Sequence, residues 1–384
     1  MALYAPQPLL PTLAAEFHTS VSGISLLLTA STLGVALAAV FAGILADHAG
    51  RKQVIGPAAL LVAVPALLLA RSSTLHGLIL WRFWQGVFTP GIAVVAPAYI
   101  NEEWEQGVGS AMGAYVSGTV LGGFAGRMIS GYLAARFSWR VAFAALGFIG
   151  IAGGLAVWAW LPAGRQFHRA ASTAATVRAM GRHLRNPRLI ATYAVGFCVL
   201  FSMLATFTYV NFYLAAPPFG LNPAQLGLLF VVYLAGAVAS PVAGRWIDRA
   251  GHRVTLVVAY AAAVGGILLT LIQFLPAILI GLALCCSAVF VAQAASNSYI
   301  GVVASEARAA AVGLYVLFYY VGGSAGSAIP GYFWNRGGWP ACVALIVVVQ
   351  LITIAMVSLF WKPRGAGPRA AAHPWSASSE SVGS

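Results

Sequence analysis

Long apolar runs alternate with short polar turns along most of this chain. A helix needs about 20 apolar residues to cross the hydrocarbon core of a bilayer, and eleven runs approach or exceed that length. The pattern therefore predicts eleven spans, over residues 24–45, 54–70, 77–100, 109–135, 139–161, 189–214, 225–246, 254–274, 278–303, 309–334 and 339–361. Residues 1–13 are too few to cross, so they predict only a fragment of a further helix.

Composition leads to the same class of protein. Sixty per cent of the 384 residues are apolar and 8% are charged, with a mean hydropathy of +0.87. Soluble domains carry about 25% charged residues, so this chain could not cover a soluble surface. The formal net charge is +13, but the cations are spread over many loops, which argues against nucleic acid as a partner. We predict an all-α membrane protein.

The distribution of Lys and Arg predicts the orientation of the spans. Fifteen of the 21 cations fall on one side of the predicted membrane and four on the other. Cytoplasmic loops are enriched in these residues, so the cation-rich side is expected to face the cytoplasm of a bacterium, across its inner membrane. That side holds a basic linker at 162–188 and a tail at 362–384 that is expected to be disordered. For the linker, contact with anionic lipid headgroups and simple solvation both stay open.

The chain contains an internal repeat. The segment AMGAYVSGTVLGGFAGRMISGY at 111–132 matches AVGLYVLFYYVGGSAGSAIPGY at 311–332. Transporters built from two similar halves place their substrate site between the halves, near the middle of the membrane. The repeat therefore predicts two halves, residues 1–161 and 189–361, joined by the basic linker.

A polar turn between the first two full spans carries a distinctive spacing of glycines and charges. Its residues are Gly43, Asp47, Gly50, Arg51 and Lys52. The spacing returns late in the chain, at Gly244, Asp248, Gly251 and Arg253. It resembles the signature loop of the major facilitator superfamily. That resemblance implies two six-helix halves, of which the first helix here would be truncated, and a gating role for the loop. Asp47 would bind a helix N-terminus or a cation of the other half.

Two further stretches resemble motifs of the same superfamily. Arg82 and Gln85 in LWRFWQG match its fourth-helix motif. Gly118, Gly122 and Gly126 resemble the fifth-helix motif of its drug and sugar-efflux proton antiporters, although Gly123 stands where a proline is usual. The resemblance implies efflux of a small amphipathic or sugar-like solute by alternating access, with protons as a further partner. Uptake, facilitated diffusion and a non-transporting sensor stay open as alternatives.

Physical arguments give each of these motif residues two interpretations. Arg82 is expensive inside a membrane and must face protein or a water-filled cavity. It either binds an anionic group or modulates a proton site, or it is a structural cation bonded to backbone carbonyls. Glycines four residues apart share one helix face and allow close helix packing. They form either a sliding seam beside the cavity or ordinary packing.

The resemblance also implies that the cavity is lined by the first, fourth, seventh and tenth spans. The polar or aromatic candidates on those spans are Tyr4, Gln7, Arg82, Gln85, Asn211, Gln293 and Asn297. An aromatic lining with a few amides suits a bulky amphipathic ligand. Each single amide could equally be a helix-packing group.

The remaining chemistry is sparse. No carboxylate falls near the middle of a predicted span, so the coupling residue is not evident. The four cysteines lie inside apolar runs without ligand spacing, so we expect no metal or cofactor. The spans contain no Asp/His cluster and no serine-base pair, so we expect no enzyme activity. We expect a monomer. The repeat alignment leaves about 13 residues of the seventh span without a counterpart in the first half, so the first helix is expected to be incomplete and an upstream start codon is one explanation.

Overall fold

The computed structural model describes residues 2–104, 107–162, 173–304 and 307–361. Within these ranges every regular element is a helix. The tail and the first part of the linker, with Arg165 and Arg169, lie outside the described residues, as do Glu105 and Glu306.

The helices follow one another with short connections. Those of the first half are α1 (Leu10–Glu16), α2 (Val21–Ala49), α3 (Arg51–Arg71), α4 (Leu75–Phe88), α5 (Pro90–Ala93), α6 (Val95–Glu103), α7 (Val108–Arg136) and α8 (Trp139–Trp160). Those that follow are α9 (Thr173–His183), α10 (Pro187–Ala215), α11 (Pro223–Leu228), α12 (Val232–Leu269), α13 (Leu275–Val303), α14 (Arg308–Ala328) and α15 (Pro330–Phe360).

Helix covers each of the eleven predicted spans. In the described part of the chain, eight helical stretches are long and apolar enough to cross a membrane by length and composition. At the start, Gln7–Leu9 forms a single 3-10 turn, which is followed by the seven-residue α1.

The structure differs from the prediction in the span at 77–100, which is the fourth when the opening fragment is counted as the first. The span is divided into α4, α5 and α6 by single-residue breaks at Thr89 and Val94. Pro90 has no N–H with which to continue the helical ladder. The carbonyl of Gly86 instead accepts a hydrogen bond from the N–H of Thr89, three residues later, at 3.2 Å. This is the spacing of a 3-10 turn.

Two glycines interrupt the helices at the repeated polar turns: Gly50 ends α2, and Gly251 divides α12 into two helical segments. Gly50 has φ 97° and ψ 148°, and Gly251 has φ 82° and ψ 161°. These left-handed values are readily adopted only by glycine. The repeat therefore preserves a backbone conformation as well as a charge pattern. We call the membrane face that carries these two turns the motif side, and the other face the opposite side.

The largest hydrophobic core belongs to the second half and surrounds α10. This helix packs against α13, α14 and α15, and its side chains are buried almost all round. The first half has two smaller cores, one around Leu9 and Phe143 toward the opposite side and one around Ala46 and Tyr99 toward the motif side. The two halves are therefore packed unequally.

Hydrogen bonds between the halves lie toward the opposite side in the described chain. The hydroxyls of Thr32 and Ser324 are 2.9 Å apart, and Asn335 donates to Ser22 at 3.3 Å. Near that face, a Cβ on Gly131 would collide with the carbonyl of Pro223. The side chains of Leu37, Phe41 and Leu45, in the part of α2 nearer the motif side, are exposed.

Candidate substrate site between the two halves

Arg82 lies about 10 Å along α4 from its opposite-side end, and its side chain is fully buried. Nε donates to the carbonyl of Leu27 at 3.4 Å, and Nη1 donates to the carbonyl of Ala2 at 3.2 Å and to Gln85 Oε1. Nη2 donates to Ser31 Oγ at 2.9 Å and to the carbonyl of Leu3. The guanidinium fastens the opening segment to α2 and α4.

All five N–H groups of a guanidinium are therefore occupied at Arg82. Each acceptor is neutral, and three of the five are backbone carbonyls. Of the two interpretations of this residue, the arrangement supports the structural cation. Gln85 links Arg82 to α3 as well, because its Nε2 donates to the carbonyl of Val62 in that helix at 3.4 Å.

A second buried arginine, Arg127, lies on α7 at a comparable depth and is 1% exposed. Its Nε donates to Gln7 Oε1 at 2.7 Å, and its Nη1 donates to the carbonyl of Gly123 at 2.8 Å. Nη2 reaches the hydroxyl of Tyr233 at 3.4 Å. The last contact crosses from the first half to the second.

Three aromatic rings surround the Arg127 guanidinium. Its central carbon is 4.6 Å from the ring centroids of both Phe230 and Tyr233 and 5.2 Å from that of Tyr4. Cations within about 6 Å of an aromatic centroid are attracted by the ring quadrupole. Rings from both halves therefore share one cation.

Sequence reasoning singled out Arg82 by its motif and passed over Arg127. The signal that could have found Arg127 was present, because an ionisable residue inside a span marks a functional site by default. Its ring partners come from the opposite half, so no local pattern could reveal them.

The structure brings together four of the seven predicted cavity residues. Tyr4 and Gln7 contact Arg127, while Arg82 binds Gln85 and the carbonyls just before Tyr4. Gln7 is fully buried, and its Nε2 has no hydrogen-bond partner among the described residues.

The other three candidates lie in different environments. Gln293 is half-buried, and its Oε1 is 3.5 Å from the hydroxyl of Tyr319. Asn297, one turn nearer the motif side, is exposed. Asn211 is fully buried and donates to the carbonyl of Phe207 in its own helix at 2.6 Å. The Oδ1 of Asn211 has no hydrogen-bond partner among the described residues.

The polar turn after α2 forms a compact charge cluster. Arg51 Nη1 is 2.5 Å from Asp47 Oδ1, and Arg51 Nη2 is 2.7 Å from Glu102 Oε1 at the end of α6. Arg51 Nε also donates to Glu102. Asp47 therefore pairs within its own half here, whereas the signature-loop resemblance implies a partner in the other half or a helix N-terminus. Lys52 lies beside this cluster without a salt bridge in the described chain.

The equivalent turn of the second half has different partners. His252 Nε2 is 2.9 Å from the hydroxyl of Ser298, and its ring packs edge-on against Tyr299. Asp248 is exposed, and no salt bridge joins it to another described residue. The first turn thus contacts the end of α6 through the ion pair of Arg51 with Glu102, and the second contacts the end of α13 through His252, which meets Ser298 and Tyr299.

Of the three fifth-helix motif glycines, Gly118 is not packed against another helix of the described chain. A Cβ built on Gly118 meets no described atom within 4 Å, and one on Gly123 meets only Arg127 Nη1, at 3.4 Å. Gly122 is half-buried and Gly126 is buried. In the repeat, by contrast, Cβ atoms on Gly322 and Gly326 would collide with the carbonyls of Phe197 and Phe201.

The described carboxylates all lie near helix ends. Glu16 accepts a bond from the Arg140 guanidinium at 2.8 Å and another from the Trp139 indole at 2.5 Å on the opposite side. The others are the members of the motif-side turns and Glu103. Arg82 and Arg127 have no carboxylate within 4 Å among the described residues, and no metal-ligand cluster occurs among them.

A separate cavity of about 700 Å³ lies toward the motif side within the first half. It is an open groove lined by α2, α3, α4 and α5, and its wall is almost entirely apolar, with His48 and Gln53 among the lining residues. It contains none of the buried arginines or tyrosines. The cluster around Arg127 is therefore the better candidate for selective recognition, because its polar groups converge from several helices.

Comparisons with known proteins agree on one family. The model of the Major Facilitator Superfamily matches residues 1–217 and 208–380. The MFS-type transporter YybF of Bacillus subtilis (strain 168) is 33% identical over 354 residues, covering 92% of this chain and 88% of YybF. The inner membrane transport protein YnfM of Escherichia coli (strain K12) is 34% identical over 355 residues, covering 91% of this chain and 85% of YnfM.

Solved structures show the same fold at low sequence identity. A bacterial homolog of the human lysosomal transporter Spinster, in an inward-facing and unoccupied conformation, matches 93% of both chains with a TM-score of 0.75 and 14% identity. The nucleoside transporter NupG matches 94% of this chain and 96% of its own with a TM-score of 0.74 and 12% identity. The helical architecture predicted from the apolar runs and the repeat is confirmed.

Proposed function

The chain belongs to the major facilitator superfamily, and from this membership we propose that it is a secondary transporter that moves a small amphipathic molecule by alternating access. The substrate occupies the region around Arg127, Tyr4 and Tyr233, where side chains of both halves meet. The halves rock about this region and expose it first to one side of the membrane and then to the other.

One observation carries this proposal. A buried guanidinium is shared by aromatic rings of both halves, at the level where the hydrogen bonds between the halves begin. A ligand bound there would contact both halves at once. Its binding energy would therefore differ between the two arrangements, and a differential affinity is what allows a ligand to shift a conformational equilibrium.

The test combines binding with exchange. A panel of neutral, cationic and anionic amphipathic solutes and sugars is screened by thermal stabilisation of the purified full-length protein. Each stabilising solute is then radiolabelled and tested for counterflow in proteoliposomes, with protein-free liposomes as the control. We expect label to accumulate transiently against preloaded unlabelled solute. A ligand that stabilises the protein but is not exchanged would contradict transport and favour a sensor.

We further propose efflux as the direction, since Gly118, Gly122 and Gly126 resemble the antiporter motif. Proton coupling would use a group on the motif side, for which Asp47 with its Arg51–Glu102 partner is the candidate. In inside-out vesicles acidified internally, an antiporter accumulates the solute above equilibrium, and the gradient dissipates faster when solute is added.

A facilitative carrier is the second candidate. The observation that favours it is the placement of the described carboxylates at helix ends, away from the middle of the membrane. Such a carrier would equilibrate the solute at the same level with and without the pH gradient. The same vesicles therefore distinguish the two mechanisms.

The orientation is proposed from the cation distribution, with the linker at 162–188 and the tail at 362–384 in the cytoplasm. Alkaline phosphatase is active only outside the bacterial cytoplasm, so a fusion within the linker should be inactive. A fusion in the Phe137–Ser138 turn should be active. The reverse result would overturn the assigned orientation.

A further inference from the structure

We propose that Arg127 and Gln7 form a subsite for the anionic group of the substrate, and that the substrate is an aromatic carboxylate. This inference rests on the proposed transport function and specifies its substrate class. It is carried by unused donors, by uncompensated charge and by the rings around them.

The two buried arginines differ in the number of their N–H donors that have an acceptor. A guanidinium has five N–H donors in a fixed fork. Arg82 uses all five on neutral acceptors. Arg127 uses three, and its remaining two, one on each terminal nitrogen, have no acceptor in the described part of the chain. Terminal N–H groups of this kind match the two oxygens of a carboxylate.

Gln7 supplies an independent observation at the same place. The side chain is fully buried, its Oε1 accepts the bond from Arg127 Nε, and its Nε2 is left without a partner among the described residues. Buried polar groups are normally hydrogen-bonded. An unpaired amide donor beside unpaired guanidinium donors indicates a missing acceptor, and a carboxylate accepts several bonds at once.

The charge balance points to the same ligand chemistry. Arginine remains protonated in proteins, and none of the described carboxylates lies within 4 Å of Arg127. A buried cation without a counter-ion is unfavourable. A bound anion would provide the counter-ion, whereas a cationic ligand would be repelled and a neutral one would provide less compensation.

The surrounding rings specify the body of the ligand. Tyr4, Phe230 and Tyr233 enclose the guanidinium, and Tyr4 is the one half-buried residue of the three. Beside Nη1, the Gly123 face is free of other described atoms within 4 Å of a Cβ position. Offset or edge-to-face contacts favour an aromatic body in such surroundings.

The experiment measures binding of three probes to the detergent-purified full-length protein. The probes are benzoate, its neutral isostere benzamide and the cation benzylammonium, titrated at constant ionic strength and followed by the thermal unfolding midpoint. We expect benzoate to bind at least tenfold more tightly than either alternative. Arg127→Gln should lose at least tenfold in benzoate affinity, and Arg127→Lys should lose less because it retains the charge without the fork.

The matched control is Arg136→Gln, the same change at an exposed position of α7, which should leave benzoate binding unchanged. Gln7→Glu provides a second test that does not depend on whether the Arg127 variants fold. It places a carboxylate beside Arg127 Nε, so we expect it to raise the unfolding midpoint without ligand and to abolish the response to benzoate.

Equal binding of benzoate and benzamide, or unaltered benzoate binding in both Arg127→Gln and Gln7→Glu, would overturn the proposal. Binding is measured without any transport step. Selective benzoate binding without counterflow would therefore contradict the transport function alone, whereas counterflow of neutral solutes only would contradict the anion subsite alone.

Discussion

Helices α7 and α14 carry the same sequence pattern in the two halves, yet they are used differently. In α14, the surfaces of Gly322 and Gly326 lie against backbone carbonyls of α10. At the equivalent positions Gly323 and Gly123, a Cβ on Gly323 would collide with the Leu200 side chain of α10, whereas one on Gly123 of α7 would approach only the side chain of Arg127. Gly118 of α7 faces open space and has no glycine counterpart, because Phe318 stands at the repeated position. The residue of α14 that is equivalent to Arg127 in the repeat is Ser327. It is fully buried and donates to the carbonyl of Gly323 at 3.1 Å.

This difference indicates that equivalent helices of the two halves have different structural roles. In the second half, glycines allow α14 to approach the backbone of α10 closely. In the first half, the region beside α7 is occupied instead by the opening segment, whose polar groups bind Arg82 and Arg127. The same sequence pattern therefore lies beside a closely packed helix in one half and beside two buried arginines in the other.

The largest effect should come from Arg82→Leu, which introduces the residue found at the repeated position, the buried Leu282. Several buried acceptors lose their donor at once. We expect the free energy of unfolding to fall by about 3 kcal/mol or more, measured by denaturant or thermal unfolding in detergent. An unchanged stability would mean that the opening segment is not fastened as described. Loss of transport would then have to be assigned to substrate contact.

The next effect tests glycine packing directly. Gly322→Ala should destabilise the protein by about 1–3 kcal/mol, because its Cβ meets the carbonyl of Phe197. The control is Gly118→Ala in α7, an unpacked helical glycine where the Cβ meets nothing and the change should stay within about 0.5 kcal/mol. Equal effects at both positions would show that the contact with Phe197 does not limit the stability of the second half.

A third pair should behave alike in both halves. Gly50→Ala and Gly251→Ala each force a side chain into a left-handed conformation, which is expected to destabilise by about 1 kcal/mol or more. Thermal unfolding of the two variants provides the measurement. A clear difference between them would show that the repeated turns are not conformationally equivalent.

The smallest effect on stability is expected at the acids of the two turns. Asp47→Asn removes a partly exposed ion pair with Arg51, worth less than about 1 kcal/mol, and Asp248→Asn should change stability no more. Counterflow should nevertheless fall strongly in Asp47→Asn, because Arg51 loses its ion pair with Asp47 and keeps only the one with Glu102. Normal flux at equal protein level would argue against a gating role for this turn.

Much of the fold was predictable from the sequence, because bilayer thickness fixes the length of apolar runs and the repeat reports the two halves. The turns at Gly50 and Gly251 were likewise visible in the spacing. Partners that cross between halves were not. Arg127 depends on Phe230 and Tyr233, and the burial of Asn211 depends on how α10 is enclosed. Local patterns contain no information about such contacts.

Alternating access requires the contacts between the halves on the opposite side to break during each cycle, and the pair Ser22 and Asn335 tests this most directly. Their side chains are 3.3 Å apart, and the four native cysteines are buried. In the double variant Ser22→Cys/Asn335→Cys, oxidation should form a disulfide, confirmed by mass spectrometry of the peptides. The account predicts that counterflow stops on oxidation and returns on reduction, while each single variant is insensitive. Undiminished counterflow in the fully cross-linked protein would contradict it.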